Sequence, residues 1–584
     1  MPFRSGPRLR AATVFVALAA CSPLPRAPAA VPPPLQPTAA EPAPVPESIA
    51  VAPSLIITLT PVADESRVGV EVLANGPAED LARWWIASPE AGSLRVIEAR
   101  DAEGVLPHRF EPSASGPGML ELSVRKGPVR VVYEVDSRPQ GVAIEPDTFE
   151  APGESLLLLP VSMVDDVVPA VIRFSLDTLR PHGGAKGASS FGVGDDRSTR
   201  ATAKELASGT YLAGALGRAW FDASEGRDEA AWMGYTAFDP RPIAADVAAF
   251  RTAVAQRLGP PSTLDATLLV VTDARSRGEF RVRRRARGVV VHAAASEPWT
   301  APLRIAVAAA VLHDWIGGRL WVGPTDPRFE GRAYWFSQGI NRHFARDLLF
   351  RFGLISPAEM QEELLGLTTT ALASRNAAVS NDQLGDEIDD TDALAVVVAR
   401  GALYGARLEA LVRARSGGKR TLAHVIRELM ERARASGGAL TLDAWLETLE
   451  REVGPRETQV FERMVITGGS VELPPDALGP CFVPVRQPYV SFDLGFERDA
   501  SLRGSLRAVV GLRRGGPADR AGLREGDAIV GSKVTWGDPS SPVEIAIERE
   551  GKQRTVRYVP VGGRAVGPGW RRKPGVADDR CAGE

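Results

Sequence analysis

Cysteine and histidine are scarce in this sequence: there are 3 and 6 of them among 584 residues. A protein-bound zinc needs three or four ligands from histidine, cysteine and carboxylates, so the shortage confines metal chemistry to very few places. An excess of charge of one sign is also missing. Lys and Arg number 69 against 72 Asp and Glu, a formal net charge of -3, which excludes nucleic-acid or anionic-lipid binding driven by global charge. No G-x-S-x-G nucleophile elbow occurs, so a serine hydrolase of that kind is unsupported. Coiled-coil heptads and solenoid periods are absent too. What remains is 44% hydrophobic and 24% charged over a chain long enough for several folded domains.

The N-terminus reads as an export signal spanning residues 1–20. Arg4, Arg8 and Arg10 supply a positive end, and "AATVFVALAA" is apolar but too short to cross a bilayer. The run ends in Leu18-Ala19-Ala20-Cys21, which resembles a bacterial lipobox. That resemblance implies lipidation of Cys21 and a membrane partner through the lipid anchor. Ser22 at the next position implies an outer-membrane lipoprotein facing the periplasm or the cell surface. Residues 21–53 are rich in proline and alanine and cannot bury enough apolar surface to order themselves, so they read as a tether. Export places Cys481 and Cys581 in an oxidising compartment. They either pair, closing a loop of about 100 residues with a model stabilisation of roughly 4–5 kcal/mol, or stay as two thiols.

The expected fold is multidomain α+β. Residues 54–165 alternate with period two in short runs such as "SLIITLTPV" and "RVGVEVLAN", the pattern of an antiparallel β-sandwich. The glycine-rich "PHGGAKGASSFGVG" reads as a surface loop. Residues 166–480 are mainly helical, with a strand at "DATLLVVTDA" and another at "EFRVRRRARGVVVHA". The arginines of that second strand, Arg281, Arg283, Arg284, Arg285 and Arg287, either guard an exposed edge or contact an acidic partner or headgroup. Strands return in residues 488–563, and 564–584 form a C-terminal tail.

Within that last folded part, "GPADRAGLREGDAIV" reads as a short helix stopped by Gly522 and a tight turn into a strand. The stretch resembles a bacterial PDZ domain. The resemblance makes Leu494, Gly495 and Phe496 the loop that receives a peptide or protein C-terminus, with the peptide added as a strand.

A sandwich, a helical domain and a PDZ-like module, in that order, resemble the glycyl aminopeptidase family of thermolysin-like metallopeptidases. "AYWFSQGINRHFARDLLFRFGLISPAEM", "LVRARSGGKRTLAHVIREL" and "VFERMVITGGSVELP" look like segments of that family. Its members carry H-E-x-x-H-x-W on a helix: two histidines four apart grip zinc on one face and the glutamate activates water. In "AVAAAVLHDWIGGRLWVGP", His313 matches the second histidine and Trp315 the tryptophan. Ala309 stands at the first histidine, Ala310 at the glutamate, and Gln338 at the glutamate of the next helix. Val398, before Arg400-Gly401, replaces a tyrosine that steadies the oxyanion, and Val291-His292 replaces the Glu-His of the family's edge strand. Asp314 and His343 lie off the metal-binding face and are poor substitutes.

These positions imply no catalytic set, no metal and no cofactor. The expected function is a non-catalytic peptide- or protein-binding scaffold, acting through the PDZ-like module and the former cleft. The alternatives are an active zinc aminopeptidase with a non-standard metal site, and an envelope adaptor in which the PDZ-like module alone matters.

Overall fold

The computed structural model describes residues 52–87, 94–112, 117–136, 141–180, 184–223, 226–234, 240–263, 265–272, 279–387, 390–502, 507–578 and 581. Cys21, the signal segment and nearly all of the tether lie outside them.

Period-two alternation produces the first body. Strand Leu55–Val62 buries every second residue, with Leu55, Ile57 and Leu59 fully inside. It opens a seven-stranded sheet packed against five- and four-stranded sheets around one apolar core. Two expectations need correction. The sheets are not purely antiparallel, since Leu55–Val62 pairs in parallel with Val168–Phe174. The body also continues past residue 165, to strand Thr210–Gly214. The glycine-rich stretch is the reason. From Lys186 onward it is no surface loop but a largely buried hairpin of Lys186–Ser189 and Gly192–Val193. A side chain at Gly187 would collide with the Phe174 ring, so glycine there serves close packing rather than exposure.

A five-stranded sheet follows, in the spatial order Gly217–Ala223, Gly226–Met233, Ala266–Thr272, Gly288–Ala293, Phe280–Arg285. Its side chains alternate between two layers. Phe221, Ala230, Leu268, Val270, Val289 and Val291 point into the helical core. Trp220, Ala231, Met233, Leu269, Val271 and Val290 join Ala188 and Leu212 of the first body. The sheet is therefore covered on both faces, which explains its continuous apolar runs. "EFRVRRRARGVVVHA" is not one strand but a hairpin turning at Ala286-Arg287.

Helices Arg241–Leu258 and Ala301–Leu312 lie beneath the sheet. Residues 327–351 form a 3₁₀ segment Pro327–Ala333, a π-helical turn Trp335–Ile340 and helix Asn341–Arg351. The 25-residue helix Thr391–Arg415 packs along the π turn. Contact is close because both sides lack side chains: a Cβ on Gly339 would lie 2.7 Å from Gly401 Cα and 2.9 Å from the Val398 carbonyl oxygen. Among the described residues no helix is long and apolar enough to cross a membrane.

The chain leaves this body through a two-stranded ribbon, Phe482–Phe492 with Val561–Arg572, which lies against helix Pro357–Ala373. Residues 564–572, expected in a tail, are thus part of a strand. A small lobe is inserted at the ribbon's far end. It holds strands Ala528–Lys533, Val543–Arg549 and Lys552–Tyr558 over its own core of Leu494, Phe496, Leu523, Ile545 and Ile547. At the near end Cys481 is disulfide-bonded to Cys581.

Candidate functional site

Helix Ala301–Leu312 stops at His313 because the next residues turn back over glycine. Gly317 has φ 105, and any Cβ there would strike the His313 ring and approach the Ser337 carbonyl to 3.1 Å. That crowding places the imidazole between the end of this helix and the π turn that carries Gln338. The structure therefore brings the His313 region next to the π turn, and the Val398 carbonyl next to Gly339. Ala309 and Ala310 are half-buried, and Gln338 is exposed. Among the described residues no three His, Cys, Asp or Glu side chains converge in a way that could hold a metal ion.

The three residues of the His-Asp-Trp stretch have separate tasks. Trp315 is fully buried, and its indole N–H donates to the Gly259 carbonyl at 2.8 Å. The Asp314 carboxylate accepts from the Ser262 amide at 2.7 Å and from the Ser262 hydroxyl. Both residues therefore tie the helix end to the loop after Arg241–Leu258. His313 is left over. Its Nδ1 is buried without a hydrogen-bond partner. Burial pushes its pKa down from 6.5 to about 4, Arg284 pushes the same way, and the Ser337 and Ile316 backbone and Asp314 oppose them.

Arg284 was not singled out from the sequence beyond its membership of a charged run. It descends from the edge strand to 3.5 Å from Asp314. The available signal was the hairpin: once "RRRARG" is read as a two-residue turn, alternation puts Arg284 on the same side as Val282, facing the helices.

Other expected positions fall elsewhere. Val291-His292 is not on the edge strand, because Phe280–Arg285 lies outside it. His292 instead faces the first body, with Nε2 2.6 Å from Glu150 Oε1. His343 packs against Gly405 of the long helix and receives the Arg346 guanidinium at 3.0 Å, away from the π turn. Arg400 is buried and donates to the Ala377 and Val379 carbonyls at 3.0 and 2.8 Å.

The expected peptide-receiving loop is engaged internally. The Gly495 amide donates to Asp493 at 2.8 Å, the Glu497 amide to the Val510 carbonyl at 2.9 Å, and the Leu494 carbonyl accepts from Tyr558 at 2.7 Å. Leu494 and Phe496 are core residues of the lobe. Among the described residues the chain after Phe496 forms helix Arg498–Leu502.

No family model matches this chain, and no curated protein matches it. Solved structures do. An aminopeptidase N family protein from Idiomarina loihiensis superposes with a TM-score of 0.65 at 15% identity, covering 91% of this chain and 99% of that one. An M1 zinc metallopeptidase from Deinococcus radiodurans reaches 0.46 at 15% identity, over 73% of this chain and 95% of that one. Yeast LTA4 hydrolase in complex with bestatin reaches 0.45 at 14% identity, over 74% and 72%. The chain has a thermolysin-like aminopeptidase fold. At 15% identity the first likeness speaks for the fold and for nothing finer.

Proposed function

We propose that this chain is an exported lipoprotein that retains an aminopeptidase scaffold without its zinc chemistry and works by holding a peptide or protein segment in the former cleft. One observation carries the reading: the helix that would grip the metal presents the methyl groups of Ala309 and Ala310 next to a single buried imidazole. Methyl groups donate no electron pair, and one histidine with a neutral amide at Gln338 falls short of the three protein ligands a zinc needs. Arg284 adds a fixed positive charge beside His313, which disfavours a second cation there. Nothing at Ala310 can take a proton from water.

In this reading Cys21 carries the lipid, and residues 21–53 hold the folded part away from an outer membrane, facing the periplasm or the surface. The C-terminal lobe is PDZ-like by its sequence. The Gly495 amide of its loop is already engaged and Leu494 and Phe496 are core residues, so in this reading the lobe serves packing, and capture falls to the cleft. The test is metal analysis of the purified full chain together with incubation against peptides bearing an amino-terminal glycine. Far less than one zinc per chain and no cleavage are expected. Stoichiometric zinc with chelator-sensitive, His313-dependent cleavage would overturn the proposal in favour of an active aminopeptidase.

A further inference from the structure

We propose that the free edge of strand Phe280–Arg285 is the docking line for an extended acidic segment of a partner protein, with carboxylates on alternate residues. The inference rests on the reading of the cleft as a binding surface and names what that surface selects.

The geometry starts at the turn. Ala286-Arg287, with Arg287 at φ 58, is a two-residue connection, so Arg285 and Gly288 are the closing hydrogen-bonded pair. Antiparallel alternation then directs the Arg283 and Arg281 backbone toward Val290 and His292. Phe280, Val282 and Arg284 turn their N–H and C=O groups outward, where the sheet has no further strand among the described residues. The ribbon edge has a different composition. On the ribbon strand Phe482–Phe492, Pro484 and Pro488 stand at every fourth position and lack a donor, which discourages an added strand. The Phe280–Arg285 edge contains no proline, and its pairing register is unbroken.

Its two faces differ in chemistry. Phe280 and Val282 pack down on the helical core, and Arg284 on the same side lies 3.5 Å from Asp314. Arg281 and Arg283 stand on the opposite face, exposed, while Arg285 is held by Glu154 at 2.8 Å. Arg283 has no ion-pair or hydrogen-bond partner among the described residues. A peptide strand added here would bring alternate side chains within about 5 Å of those of Arg281 and Arg283, the distance at which opposite charges stabilise and like charges repel. Its intervening side chains would point toward helix Ala301–Leu312, which packs beneath this strand and offers methyl groups at Ala309 and Ala310. Acidic residues alternating with apolar ones fit both faces. The same arginines that keep two copies from pairing edge to edge thus choose the sign of the partner.

The test uses the full chain and fluorescein-labelled Glu-Leu-Glu-Leu-Glu, its Lys-Leu-Lys-Leu-Lys counterpart, and the acidic peptide N-methylated at alternate amides, read by anisotropy. The acidic peptide is expected to bind about tenfold or more tighter than the basic one and to lose binding on N-methylation. Arg283→Glu should weaken it about tenfold, Arg283→Lys should retain most of it, and added salt should weaken it. Equal affinity for both charges, or indifference to Arg283→Glu, overturns the proposal. Arg283-dependent binding to phosphatidylglycerol vesicles without peptide binding also overturns it, by assigning the arginines to a lipid surface. If a metal-free, inert chain binds neither peptide, the docking line fails while the loss of zinc chemistry stands.

Discussion

Acidification should destabilise the fold through His313, and the size of the effect follows from its surroundings. Its pKa falls from 6.5 to about 4 because the ring is buried and Arg284 stands near it. In the unfolded chain the ring takes up a proton as pH drops through 6.5; in the folded chain it resists until about pH 4. The neutral ring is therefore favoured by folding, and stability is lost as pH falls between those two values. Each pKa unit corresponds to about 1.4 kcal/mol, so the wild type should lose about 2–3 kcal/mol from this one group between pH 7 and pH 4. His343 and the carboxylates titrate as well, so the measurement is a difference. His313→Asn removes the titration and keeps a polar side chain. Urea unfolding of both proteins, followed by tryptophan fluorescence at constant salt, should show the wild type losing ground to the variant as the solution is acidified. A difference that stays flat across this range would refute the burial argument. A wild type that gains on acidification would mean that His313 faces an anion absent from the description above.

Three further outcomes are expected. Gly401→Ala forces a methyl into the Trp335 carbonyl and should cost about 3 kcal/mol or more, read as a lowered urea midpoint, whereas Gly366→Ala, where a Cβ meets nothing, should not. Cys481→Ser opens a 100-residue loop and should cost about 4–5 kcal/mol under oxidising conditions, and almost nothing relative to wild type once both are reduced. Combining Ala309→His, Ala310→Glu and Gln338→Glu with Arg284→Ala should give close to one bound zinc per chain by elemental analysis. Failure to bind zinc would show that these positions do not face a common point.

Much of this architecture was legible before any coordinates, but unevenly. Period two in "SLIITLTPV" and "RVGVEVLAN" announced strands because one face of each is buried and the other is not. Alternation disappears in the strands covered on both faces; the continuous apolar run still marked Ala266–Thr272, but Gly217–Ala223 and Gly226–Met233 went unmarked. Period two failed most at residues 184–193, where glycines that permit close packing against Phe174 look like glycines that permit a loop. His313 and Gln338 were reachable only through a family resemblance, and the expected second helix is at Gln338 a π turn that leaves the side chain exposed. The edge strand could not be placed, since one unnoticed turn at Ala286-Arg287 moves every later assignment to a different strand. The lobe's sequence pattern marked a helix, a turn and a strand correctly. It carried no information about whether the Glu497 amide was already bonded, which depends on Val510 arriving from elsewhere.

The ribbon that carries the C-terminal lobe has a topological result. Residues 493–560 leave and re-enter through adjacent strands, and the covalent link between Cys481 and Cys581 closes the circuit just beneath them. A protease that severs any single peptide bond in the lobe would release nothing: both fragments would stay fastened to the main body, and the break would become visible only after a reductant was added.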